Sequence, residues 1–466
     1  MALHGHTRLE LTDVHTGEVQ TVEHDNLITN AVSRIFAAFP ELMNGRDKLY
    51  DGSGSLWSRF YGGLLLLDTA VTGDADTLYA PAGVDITGTA RYNAVNAGLN
   101  TRRGSYNATE SALNYEDKEL RLVYDFTTSQ ANGTIAAACL TSRNAAMLGE
   151  MPQSCAALTT VVPGEMDFLW GEQINLFPGT KARKFYENYG SPVLVDLDTD
   201  TVWCARLVLS TSTKALRLYK AGAQLRSISL LQDAGANRSM GYTLAKEIDL
   251  SDIVQSTYTS TVRVDYDEER GRLYVVAGGT SGSTTMKVLE INMADWSQTV
   301  YTFTNTLSET LDTTLYNEAS PPCIHGKVYN GRLYFRTTAG NLYSVPLEDP
   351  TDVTPINRNG LEFSTLFDAH HGRIYSSYGN TVRVLDTLKN AVFCTEMGAY
   401  HCYDTVPLTG GGPVTLRVRS PYSGDNLNMC YPCVREPYLG SINNLDSPFS
   451  KTASQTMKVT YTIRES

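Results

Sequence analysis

Asp265-Tyr266-Asp267-Glu268-Glu269-Arg270-Gly271-Arg272-Leu273-Tyr274-Val275-Val276 decides the fold, because its second half returns twice downstream. Val328-Tyr329-Asn330-Gly331-Arg332-Leu333-Tyr334-Phe335 and Asp368-Ala369-His370-His371-Gly372-Arg373-Ile374-Tyr375 repeat the Gly-Arg-Leu/Ile-Tyr core. Each copy reads as strand, glycine-bearing polar turn, strand. A further alternating strand follows each, at 287–291, 341–345 and 381–385. A weaker copy precedes them at 193–203, with its own following strand at 215–219. The step from Gly331 to Gly372 lies in the interval of roughly 40–50 residues that four-stranded blades occupy, and the step from Gly271 to Gly331 needs a longer loop. One blade cannot bury both faces of its sheet, so neighbours stack radially until the ring closes. The pattern therefore predicts a β-propeller of about four to six blades over residues 189–400. The repeated tyrosine packs between blades, and the glycine and acidic residues before it make the hairpin turn.

The flanks read differently. Arg8-Leu9-Glu10-Leu11-Thr12-Asp13-Val14, the turn His15-Thr16-Gly17-Glu18 and Val19-Gln20-Thr21-Val22-Glu23 form a hairpin signature. Val32, Ile35, Phe36 and Phe39 then recur at helical spacing before Pro40, predicting one short amphipathic helix on the opening strands. Residues 51–114 are loop-rich apart from the apolar strand Gly63-Leu64-Leu65-Leu66-Leu67. Strands at 120–126 and 134–140 are joined across Asn132-Gly133, a turn signal that predicts a second hairpin. After the repeats, Gly410-Gly411-Gly412-Pro413 marks a break, and period-two alternation resumes at 414–419 and 456–463. The expected fold is all-β: a propeller inserted into a discontinuous β-sandwich-like base domain made of residues 1–188 and 401–466.

A chain of 466 residues, 42% hydrophobic and 19% charged, with 37 glycines and 27 tyrosines, is composed for a turn-rich folded protein of more than one domain. The net charge of −12 and the lack of a basic run exclude the phosphate-driven mode of nucleic-acid binding. Met1-Ala2-Leu3-His4-Gly5-His6 has neither the basic start nor the apolar stretch of a secretory signal, and no apolar segment reaches bilayer length. A soluble protein made in a cytosol, without membrane insertion, is expected. Eight cysteines at 139, 155, 204, 323, 394, 402, 430 and 433 are scattered, which predicts reduced, mostly buried thiols; Cys430-Tyr-Pro-Cys433 has the spacing of half a zinc site but no second half.

No catalytic, cofactor or metal site is expected. A sialidase-like propeller requires recurring Asp-box turns, which are missing, and no spacing singles out the two facing carboxylates of a glycosidase. Asp196, Asp198 and Asp200, and Asp265 with Asp267, have the alternation of calcium-loop ligands, but neither segment supplies the remaining ligands or terminal glutamate, so acidic blade turns are the better reading. His4, His6, His15 and His24 gather near the amino terminus and would meet a metal only around a symmetry axis; ordinary strand positions are the simpler account. His370-His371 reads as a solvated blade turn. No Gly-x-Ser-x-Gly elbow, P-loop or dinucleotide fingerprint occurs.

Three separated stretches carry a resemblance. Leu9-Glu10-Leu11-Thr12-Asp13-Val14-His15-Thr16-Gly17-Glu18 with Asn26-Leu27-Ile28-Thr29-Asn30-Ala31, then Tyr124-Asp125-Phe126-Thr127-Thr128-Ser129-Gln130-Ala131-Asn132-Gly133-Thr134-Ile135, and Pro437-Tyr438-Leu439-Gly440-Ser441-Ile442-Asn443-Asn444-Leu445-Asp446-Ser447-Pro448-Phe449-Ser450-Lys451-Thr452 closing with Met457-Lys458-Val459-Thr460-Tyr461-Thr462 resemble tail fibre-like and other virion proteins of phages of Gram-positive hosts. The resemblance covers the flanks and transfers no catalytic residue. It implies a structural protein of the virion tail or baseplate, assembled in the bacterial cytoplasm and contacting other tail proteins. By analogy it forms a homotrimer, with the propeller displayed toward a host-surface glycan. Two alternatives stay open: a tail-borne hydrolase of surface glycan, and a collar, head-fibre or decoration protein without a receptor role.

Overall fold

The computed structural model describes residues 3–38, 60–96, 101–143, 174–175, 189–222, 241–255, 257, 262–278, 284–312, 326–363, 365–378, 381–395, 405–410, 412–418, 429–434 and 438–465. Strands dominate these residues, as the repeat and the alternation predict.

The base is one ten-stranded sheet. At its centre Leu3–Asp13 lies between Val19–Ile28 and the last strand, Gln455–Glu465, paired without a bulge from Leu3 opposite Glu465 to Asp13 opposite Gln455. The two ends of the chain are thus zipped together along eleven residues. Val19–Ile28 passes the sheet on to Ser441–Lys451 through Leu27 and Ile442, and from there it runs through Gly133–Thr141 and Gly63–Leu67 to Ile86–Arg91. On the other side Glu119–Phe126 follows Gln455–Glu465 and carries Ser105–Tyr106 and Ala112–Asn114. A parallel bridge from Thr89 to Arg103 joins the two free edges, with the Thr89 amide donating to Arg102 O at 2.9 Å and the Gly104 amide to Thr89 O at 2.8 Å. The sandwich-like base is therefore a nearly closed, barrel-like sheet, and the bridge covers part of the edges that an open sheet leaves unpaired. The helix Ala31–Ala38 buries Ala31, Val32 and Ile35 in the barrel's core cluster.

Two local readings are corrected. Glu119–Phe126 and Gly133–Thr141 do not pair with each other; they lie in opposite halves of the barrel. The Asn132-Gly133 signal marks a turn, and with Ala131 (φ 50°) and Gly133 (φ 137°) the chain uses it to cross between the halves. Gly63–Leu67 is buried on both faces: Leu64 and Leu66 enter the core, whereas Leu65 and Leu67 are covered from outside by Val71, Ala80 and Val84. Four consecutive leucines without alternation report that outer cover.

The insertion holds five sheets in sequence. Blade I comprises Ser191–Asp196, Thr201–Leu209, Lys214–Gly222 and Thr243–Asp249. Blade II comprises Val262–Asp267, Arg272–Gly278, Thr285–Asn292 and Gln298–Thr304; blade III comprises Gly326–Tyr329, Arg332–Arg336, Leu342–Pro346 and Thr354–Pro355. Blade IV comprises Thr365–His370, Arg373–Tyr378, Thr381–Asp386 and Ala391–Thr395. Blade V joins Thr405–Val406, Val414–Val418 and Met429–Val434 to Ile174–Asn175 from before blade I. The propeller's limits thus differ from the expected 189–400: strands at 174–175 and 405–434 belong to it, and only 438–465 rejoins the barrel. Sharing the last sheet between the two ends of a segment is how a ring locks, and a repeat read in one direction does not reveal it.

Period-two alternation packs the blades. Leu273, Val275, Leu289 and Ile291 of blade II meet Leu216, Leu218 and Ile248 of blade I. The opposite face of blade II, Tyr274, Val276, Met286 and Val288, meets Val328, Leu333 and Phe335 of blade III. Tyr329, Tyr334 and Leu342 of blade III in turn meet Ile374, Leu385 and Val392 of blade IV. Blade V touches blade I by a parallel pairing of Leu408–Thr409 with Ser191–Asp196, the Val195 amide donating to Pro407 O at 2.9 Å. Tyr274 and Tyr334 of the repeat sit between blades as expected.

Candidate binding site at the barrel–propeller junction

The turns that follow the innermost strands of blades II, III and IV converge at one end of the propeller. In blades III and IV they are two-residue turns with left-handed φ at both positions, Asn330 (46°) with Gly331 (74°) and His371 (45°) with Gly372 (75°). That geometry matches the twist of the hairpin strands. In blade II the turn is longer and acidic, and it binds the other two. Asp267 Oδ2 accepts from the Asn330 amide at 2.8 Å, and Glu269 Oε1 accepts from the Tyr329 hydroxyl at 2.7 Å and the His371 amide at 2.5 Å. The Tyr329 oxygen accepts from the Gly372 amide at 2.6 Å. Burial lifts the Asp267 carboxyl, against the pull of the Asn330 and Arg270 amides; burial and Glu269 lift the Tyr329 phenol.

Beneath this layer the innermost strands carry alternating charge. Asp265 lies between Arg263 and Lys327, with Lys327 Nζ at 3.1 Å, and Asp368 faces His370 Nε2 at 3.4 Å. Burial pushes the Asp265 carboxyl up, but Arg263 and Lys327 outweigh it and hold the group below its ordinary value. Burial holds the Lys327 ammonium below its ordinary value against the attraction of Asp265. A carboxylate flanked by two cations acts as a counter-ion, which is a structural use of charge rather than that of a poised proton carrier.

The same end of the propeller docks on the segment that covers Gly63–Leu67. Arg373, fully buried, donates from Nη2 to Pro81 O at 2.9 Å and from Nη1 to Ala80 O at 3.2 Å. The Gly83 amide donates to Asp386 Oδ2 at 2.9 Å, and Lys389 pairs with Asp85. The Tyr79 ring stacks on His371 with centroids 3.9 Å apart, and its hydroxyl donates to Gly412 O at 3.3 Å. A Cβ on Gly372 would come within 2.6 Å of the Ala82 Cβ, so only glycine admits this approach. Beside these contacts opens a cavity of about 430 Å³ lined by Asp76, Leu78, Tyr79, Pro81, Glu269 and His371.

Of the residues weighed from sequence, Asp265, Asp267, His370 and His371 lie at this end of the propeller, and the others fall elsewhere. Asp196 accepts from the Asp198 amide at 2.9 Å and the Thr199 hydroxyl at 2.7 Å, within its own hairpin. Burial raises its carboxyl, but those donors outweigh burial and lower it. The amino-terminal histidines are split: His6 faces Asp25 at 3.1 Å, His24 faces Asp446 at 3.7 Å, and His15 sits in the intervening turn. Among the described residues no group of three or more His, Cys, Asp or Glu is placed to hold a metal. The side chains of Cys430 and Cys433 lie outside the described residues; Cys139 and Cys204 are buried free thiols. His370-His371 is not the solvated turn that was expected. His370 is 2% exposed and stacks on Tyr375, and His371 is half-buried under Tyr79. The lining residues of 76–82 lie in a stretch without periodicity, and no signal in the sequence brings them to a blade turn.

Among the described residues no helix is long and apolar enough to cross a membrane. No family model and no curated protein matches the chain. Among solved structures, the chain is similar to a nidogen/laminin complex at 12% identity and TM-score 0.25, covering 59% of this chain and 74% of that one. It is also similar to a Swd1 β-propeller domain from Myceliophteria thermophila at 10% identity and TM-score 0.25, covering 55% and 70%. A family 117 glycoside hydrolase from Zobellia galactanivorans matches at 12% identity and TM-score 0.28, covering 53% and 83%. Likenesses at these scores carry no argument about what the chain does.

Proposed function

We propose that this chain is a non-enzymatic structural subunit of a bacteriophage tail or related particle, attached through the barrel and presenting the propeller to a host-surface glycan. The observation that supports it is the clamp formed by Arg373, Asp386 and Lys389 on Ala80–Asp85. It holds one edge of the propeller against the barrel, so the opposite edge, with turns such as 210–213 and 337–341, is the one displayed. A rigid head loses little conformational freedom on meeting a ligand. The acidic side chains on the axis serve as counter-ions and turn caps, which suits holding better than cleaving. The attachment partners are other tail or baseplate proteins and, by the flank resemblance, two further copies of the chain.

Incubating the purified protein with host-envelope glycan tests this. Co-sedimentation without release of reducing ends is the expected result; steady release of reducing ends would replace the reading with that of a hydrolase. Immunogold labelling of particles is expected at the tail, and label confined to the head or collar overturns the receptor role.

A further inference from the structure

The junction cavity has features that the clamp does not require. Two carboxylates, Asp76 and Glu269, line it, and each has one oxygen tied down. Asp76 Oδ1 accepts from Asn30 Nδ2 at 2.7 Å and Arg34 Nη2 at 2.6 Å, and Glu269 Oε1 is held by the Tyr329 hydroxyl and the His371 amide. Anchoring one oxygen orients the carboxylate plane, so the second oxygen of each is presented as an acceptor of set direction. The stacked rings of Tyr79 and His371 and the apolar edge of Pro81 supply the rest of the wall. Aromatic faces, preoriented acceptors and about 430 Å³ of space match a small polyhydroxylated ligand. The guanidinium of Arg34 is bonded to Asp76 and that of Arg373 to the Ala80 and Pro81 carbonyls, so the two carboxylates disfavour an anion and leave a neutral donor of hydroxyl groups as the fitting class.

We propose that this cavity, between the barrel's Asp76–Ala82 segment and the acidic turn of blade II, is a subsite for one or two units of a neutral saccharide. The proposal rests on the glycan-binding reading above and moves the contact from the displayed edge to the junction. Vicinal hydroxyls donate to Asp76 and Glu269, while the sugar's apolar face lies on the aromatic wall.

Saturation-transfer NMR with galactose, N-acetylglucosamine and galacturonic acid tests it on the full chain. Saturation of a neutral sugar and not of galacturonic acid is expected. Thr77 also lines the cavity, and Thr77→Trp, which puts an indole at that position, is expected to abolish it. Glu269→Gln, which keeps the acceptor for Tyr329 and the His371 amide, is expected to weaken it about tenfold. Absence of transfer to either neutral sugar, equal transfer to the acid, or unchanged binding by both variants overturns the proposal. Envelope glycan that still co-sediments with Thr77→Trp would overturn the subsite alone. Neutral sugars bound by a wild-type chain that ignores envelope glycan would overturn the display function alone.

Discussion

Lys451 is 2% exposed, and its Nζ donates to Thr127 O at 2.9 Å and Asn132 Oδ1 at 2.8 Å, both neutral acceptors. Burial draws its pKa from 10.5 down to about 8. Between these values the unfolded chain binds more protons than the folded one, so stability rises with pH across that window and the cost of the buried ammonium is greatest below it. The difference in urea midpoint between wild type and Lys451→Met is expected to shift in favour of wild type from about pH 7.5 to about pH 9.5. A constant difference would show that the lysine is ordinarily solvated.

Turns show one local rule used throughout the chain. Asp13, Asn114, Asp196, Asp267, Asn292 and Asp386 each accept from a main-chain amide two residues on. In each turn the fifth residue is left-handed: Gly17 (72°), Lys118 (52°), Asp200 (51°), Gly271 (62°), Trp296 (64°) and Asn390 (50°). This pattern, rather than cation binding, accounts for the acidic alternation at 196–200. A lysine in this conformation is strained where glycine is not. Lys118→Gly, which gives up only an exposed pair with Glu465 at 3.5 Å, is expected to raise stability by about 0.5 kcal/mol. Chemical denaturation measures it, and a loss of more than about 1 kcal/mol would contradict the strain account.

At the scale of the whole molecule, one arginine of the repeat joins Asp386, Lys389 and the shared core residues Val195, Val202 and Leu408 in coupling barrel and propeller. Arg272 pairs with Glu290 at 3.4 Å and Arg332 donates to Ser344 at 3.1 Å, each inside its own blade. Arg373, the equivalent residue of blade IV, reaches out to Ala80 and Pro81. Arg373→Ala leaves the buried Ala80 carbonyl and the Pro81 carbonyl without that donor, and the expected loss is about 1–3 kcal/mol. Calorimetry is expected to show one unfolding transition for wild type and separate barrel and propeller transitions for the variant. One transition at an unchanged midpoint would mean that the clamp does not couple them.

What the sequence determined by itself was everything governed by neighbours along the chain. Alternation and the Gly-Arg-Leu-Tyr turns specified strands, hairpins and a repeating sheet, because side-chain direction and turn φ are local properties. What only the tertiary structure decided was which strand lies beside which. The last strand meeting the first, Ile174–Asn175 completing blade V, and the separation of Glu119–Phe126 from Gly133–Thr141 all depend on contacts between remote residues that leave no period in the sequence. The junction cavity belongs to the same class. Asp76 and Glu269 are nearly two hundred positions apart, and the docking of blade IV on an irregular loop brings them to one cavity.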